Sequence, residues 1–156
     1  MDAIERAAAN LKGRGFKKQE GNAEVLLPGS AQVWTRTDED PFVCSITPEG
    51  KIRAHRFMEP ETAREMIRHY GEAHTVIVRF QKKNGDVRRM VCRNYEQKSM
   101  HRDYLTVWDM EAGASRQVNV TTVISVDVPR KKSSQFDGMT MQQAQQKMNE
   151  MFDPKQ

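Results

Sequence analysis

No stretch of this chain leaves the backbone less choice than Asn84-Gly85. A two-residue hairpin turn needs a left-handed backbone at both central positions, and Asn and Gly tolerate it best. Before the turn, Val76, Val78 and Phe80 alternate along one side of a run from His74 to Gln81, the period of a half-buried strand. After it, Val87 to Arg93 returns. The pair predicts an antiparallel hairpin that everything downstream must accommodate. Three more strand-like runs follow: Tyr104 to Met110, Arg116 to Val120 and Val123 to Val128, with Gly113 in a turn and Pro129 as a stop. Five short strands at this spacing predict a small closed barrel. Closure would remove the exposed edges that a flat sheet leaves open.

The first half reads differently. Ile4, Ala7, Ala8 and Leu11 recur at helical spacing, and Gly13 and Gly15 end the run. Residues 16–57 read as a meander of about four strands. These are Val25 to Leu27 before Pro28-Gly29, Ala31 to Thr35, and the pair Phe42 to Thr47 and Lys51 to Phe57 around Pro48-Glu49-Gly50. Pro60 suits the first turn of a helix. Ala63, Met66, Ile67 and Tyr70 share one helical face, and Gly71 fits a C-terminal stop. After a polar stretch, residues 139–152 predict a terminal helix with Met141, Ala144, Met148, Met151 and Phe152 on one side. The expected protein is α+β. A helix–meander–helix module spans 1–72, a small five-stranded barrel spans 73–129, and a basic linker with an amphipathic C-terminal helix spans 130–156.

Several chemistries lack their residues. No apolar run approaches the ~18 residues of a membrane span, and Met1 to Arg6 has no apolar signal-peptide core. Cys44 and Cys92 make neither a disulfide framework nor a zinc site. Arg93, beside Cys92, would point to the opposite strand face, so nothing there activates the thiol. His69 and His74 are not at the i, i+4 spacing of a helical zinc pair. Gly13-Arg14-Gly15 lacks the remainder of a nucleotide fingerprint, and no EF-hand spacing follows Asp38-Glu39-Asp40. The expectation is a soluble cytoplasmic protein that is not an enzyme and carries no cofactor or metal.

Charge carries the functional signal. The formal net charge is +4. Residues 1–72 hold 11 basic and 12 acidic side chains, whereas 73–128 hold 9 and 6 and 129–156 hold 5 and 3. The basic excess therefore lies in the second half. Lys82 and Lys83 approach the hairpin tip, and Arg88 and Arg89 lie across it. Arg93, Lys98 and Arg102 follow, and Arg130, Lys131 and Lys132 leave the last strand. If tip and exit share a side, they face one phosphate backbone. The bland alternative is that lysines at a hairpin tip only solubilise it. Among the aromatic residues, Tyr95, in a predicted loop, suits base stacking best. Trp108, mid-strand, suits the core better.

Two blocks carry a resemblance. One is Val76-Ile77-Val78-Arg79-Phe80-Gln81-Lys82-Lys83-Asn84-Gly85-Asp86 with Arg89-Met90-Val91-Cys92. The other is Leu105-Thr106-Val107-Trp108-Asp109-Met110-Glu111 with Val123-Ile124-Ser125-Val126-Asp127-Val128. Over residues 74–128 the chain resembles a family of small Src-homology-3-like barrel proteins of uncharacterised function common in bacteriophage genomes. The resemblance implies a barrel and a viral setting, hence a host-cell cytoplasm, and brings no catalytic residues. The leading expectation is a non-enzymatic phage-type accessory protein that binds nucleic acid, or a complex handling it, through the basic barrel surface. The alternative is a protein–protein antagonist of a host factor or defence complex. In that case Met141, Met148, Met151 and Phe152 would offer an adaptable apolar face to a partner, a second copy included.

Overall fold

Helix α1 (Ala3–Gly13) starts where Asp2 caps it, its carboxylate accepting from the Glu5 backbone N–H at 2.7 Å. The computed structural model describes residues 1–37, 42–95, 102–128 and 140–151. Ala7 and Leu11 of α1 are buried with Phe16, Trp34, Cys44 and Ile46. The last four lie on a four-stranded antiparallel meander or just before it: β1 (Lys17–Lys18), β2 (Gln32–Arg36), β3 (Phe42–Ile46) and β4 (Ile52–His55), in that spatial order.

The meander has four strands, but its first is not Val25 to Leu27. That segment is mostly a single helical turn, α2 (Ala23–Leu26). Asn22 explains the difference, because its Oδ1 accepts from the backbone N–H groups of Glu24 and Val25 at 3.0 and 3.3 Å. A capped turn outcompetes a three-residue strand with no partner beside it.

Helix α3 (Pro60–Gly71) has proline in its first turn, and Ala63 and Ile67 are fully buried. Gly71 is needed for a reason other than a left-handed stop. A Cβ there would lie 2.7 Å from the backbone nitrogen of Asn94, so the glycine lets α3 press against the next sheet.

That sheet comprises β5 (Val76–Gln81), β6 (Val87–Asn94), β7 (Tyr104–Asp109), β8 (Ala114–Asn119) and β9 (Val123–Asp127). Its antiparallel order is β8-β7-β6-β5-β9. The five expected strands are present, but the expected five-stranded barrel of the Src-homology-3 type is not. Among the described residues the end strands β8 and β9 have one hydrogen-bonded neighbour each, and they do not pair with each other. The reason lies in the core. A closed barrel fills its interior with its own side chains. Here Ala63 and Ile67 of α3 lie among Val76, Val78, Phe80, Met90, Cys92, Leu105, Val107 and Val118. The helix covers the apolar face that closure would otherwise have to bury, and a 3-10 turn at Val120–Thr122 separates β8 from β9.

The β5–β6 tip also departs from the expected two-residue turn. Gly85 alone has a positive φ, 99°. Its N–H donates to the Lys82 carbonyl at 2.9 Å, and the Lys82 N–H donates to the Asp86 carbonyl at 2.7 Å. This is a three-residue loop closed by a glycine bulge. Asn84 keeps an ordinary backbone, and its side-chain oxygen accepts from the Asp86 N–H at 3.0 Å.

Helix α4 (Met141–Met151) lies on the outer face of the second sheet, where Ala144 and Met148 are buried with Val91 and Met110. The two sheets also meet. Leu27, Val33 and Val43 share a cluster with Val87. The Gln19 carboxamide donates to the Val87 carbonyl and accepts from its N–H, both at 2.7 Å.

Candidate functional site: a cationic cleft beside an open sheet edge

The cleft follows from the sheet staying open. Between the β5–β6 hairpin and β8 lies a hollow of about 200 Å³, lined by Phe80, Lys82, Lys83, Arg88, Met90, Tyr104, Arg116, Gln117 and Asn119. Phe80 and Met90 are buried floor residues. Tyr104 is half-buried, and Lys82, Lys83, Arg116 and Gln117 are exposed. A smaller hollow of about 140 Å³ adjoins it and shares Lys82, Lys83 and Asn119. It is also lined by Gln81, which is 1% exposed. The Gln81 Nε2 donates to the Arg36 and Gly85 carbonyls, and its Oε1 has no donor among the described residues.

The cations are not equivalent. Lys82, Lys83 and Arg116 make no ion pair among the described residues. Arg88 is held by Asp109 at 2.9 Å, and that carboxylate is 4% exposed. Its other oxygen accepts from the backbone N–H groups of Glu111 and Ala112. Arg88 therefore neutralises a buried anion and lends the cleft little net charge. Asn119 uses its side-chain oxygen to accept from the Thr121 N–H at 3.0 Å, while the Gln117 carboxamide makes no hydrogen bond among the described residues.

The remaining sequence candidates scatter. Arg89 points to the other sheet face, 3.4 Å from Glu111. Arg93 is 4% exposed and donates to the Glu72 carbonyl at 2.9 Å, with its pKa lowered by burial. It is a structural arginine. Tyr95 stands at the edge of the outer face, its ring 5.2 Å from that of Trp108. Arg102 lines a different hollow, with Glu59, Glu61 and Asp103. Lys98, Arg130, Lys131, Lys132 and Phe152 lie outside the described residues, as does the side chain of Met151. Met148 packs in its own chain's core, and Met141 is half-buried. The structure thus brings Lys82, Lys83 and Arg88 together and separates them from Arg89, Arg93, Tyr95 and Arg102.

Arg116, Gln117 and Asn119 are the site residues that the charge argument missed. A signal was present for Arg116. Val118 and Val120 set the inward parity of that strand, and Arg116 shares it, opposite the buried Val107. An arginine at an inward position near a strand end marks a polar opening in an apolar face.

Other chemistry is sparse. No group of three His, Cys, Asp or Glu residues able to hold a metal occurs among the described residues. No helix among them is long and apolar enough to cross a membrane. The Cys92 thiol is pushed up to about 12 by burial, with a further rise from Asp109. The Ser45 hydroxyl lies 2.8 Å from His55 Nε2, but Ser45 is 1% exposed and closed to a substrate. Comparison with protein-family models, with curated proteins and with solved structures finds no match to this chain in any of the three.

Proposed function

We propose that this chain is a non-enzymatic accessory protein that binds nucleic acid in the cleft between the β5–β6 hairpin and β8. One observation carries the reading: three cations without an acidic partner among the described residues, Lys82, Lys83 and Arg116, converge on a hollow whose floor is apolar and partly aromatic. Unpaired cations attract a polyanion, and an apolar floor beside them favours a ligand that is more than charge. The phage setting belongs to this reading and rests on the two sequence blocks alone.

The test is anisotropy of labelled single-stranded DNA, duplex DNA and RNA at low and physiological salt, with polyglutamate as a control polyanion. The expected result is binding that weakens with salt. Three phosphate contacts on a single strand correspond to a log–log slope of about −2. The variant Lys82→Glu/Lys83→Glu/Arg116→Glu should lose most of that affinity and that slope. Arg88 stays intact in it, because reversal would set a second carboxylate against buried Asp109. No binding at low salt, or polyglutamate binding as tightly as every nucleic acid, overturns the proposal. The second outcome would favour a protein partner.

A further inference from the structure

We infer that the cleft receives one nucleotide unit, with the base against the apolar floor and the phosphate at the lysine rim. The inference rests on the nucleic-acid reading above and specifies it. Size is the first argument. At about 200 Å³ the hollow is smaller than the ~300 Å³ at which drug-sized ligand sites begin. It cannot admit a duplex, whose bases are stacked and paired inside. It suits a single flat ring whose strand has been left unpaired.

The lining is the second argument. A site for phosphate alone needs donors and cations, and Phe80, Met90 and Tyr104 would add nothing to it. Here they form the floor and one wall, with Lys82, Lys83 and Arg116 around them.

The experiment uses the full chain. Affinity is compared for a single-stranded oligonucleotide, the same backbone made abasic, the matched duplex, and a free nucleoside monophosphate as competitor. The base-bearing single strand should bind at least about tenfold tighter than the abasic strand, the scale of one stacked base. It should also bind tighter than the duplex. Tyr104→Ala should weaken the base-bearing strand and leave the abasic one unchanged, with the salt slope intact. The abasic comparison needs no variant, so it stands even if Tyr104→Ala does not fold. Competition by the monophosphate at an affinity close to the strand's assigns the cleft to free nucleotide; failure to compete while the strand binds assigns it to a strand unit. Equal binding of abasic and base-bearing strands overturns the inference and leaves the nucleic-acid reading standing. No binding of any nucleic acid removes both.

Discussion

Arg88 and Lys82 look alike in the sequence and do different work in the structure. Lys82 is exposed and makes no ion pair among the described residues, so removing it should leave stability within about 0.5 kcal/mol. Arg88 is the counter-ion of a carboxylate that is 4% exposed. Two backbone N–H groups also serve that carboxylate, so Arg88→Ala should cost about 1–2 kcal/mol rather than the full cost of a bare buried charge. Urea melts of the two alanine variants check the contrast. Cys92 supplies a pH signature. An unfolded thiol ionises near 9 and the buried one near 12, so the unfolded state holds fewer protons between those values. Stability should fall as pH rises from about 9 to about 12, by up to about 1.4 kcal/mol per unit. Denaturation of Cys92→Ala over the same range should show that component removed. At this level the sequence marked which side chains are charged and left open which are free. Pairing depends on register, and nothing in the chain states that Arg88 will meet Asp109, 21 residues later.

The hairpin around Gly85 was legible as a hairpin because the alternation on either side of it is strong. Its loop type was not, since Asn-Gly suits both a two-residue turn and a bulged one. A Cβ on Gly85 would overlap Thr37 Cγ2, at a φ that disfavours any side chain. Gly85→Ala should therefore destabilise by more than the ~1 kcal/mol of the backbone term alone. Adding Thr37→Ser should return part of the loss, and a double-mutant cycle measures that part. The barrel failed as an expectation for a related reason. Strand spacing signals how many strands form, whereas closure depends on what covers the apolar face. Here α3 covers it with Ala63 and Ile67, residues that read only as a helix stripe in the sequence. The outer face has its own cover. Trp108 donates to Gln145 at 2.7 Å, and Met148 is 4% exposed. Met148→Asp should release α4, lower stability by about 2 kcal/mol or more, and make Trp108 more accessible to acrylamide quenching.

The two sheets are joined by side chains from distant parts of the chain. Leu27, Val33 and Val43 meet Val87, with Ile124 at the edge of the cluster, and Gln19 acts as a substitute strand partner for Val87. Neither sheet buries that cluster alone. Unfolding should therefore be a single transition, with the same midpoint whether followed by Trp34 in Trp108→Phe or by Trp108 in Trp34→Phe. Separate midpoints would show that the junction contributes little. The same joint bears on how the molecule is made. The meander emerges from a ribosome before Val87 does, because Val87 lies 32 residues beyond His55, the end of β4. At about 5–20 residues per second, Leu27, Val33 and Val43 wait a few seconds for the wall that completes their core. For that interval the nascent chain exposes a sticky patch, and a slower stretch of message between the two sheets would lengthen it.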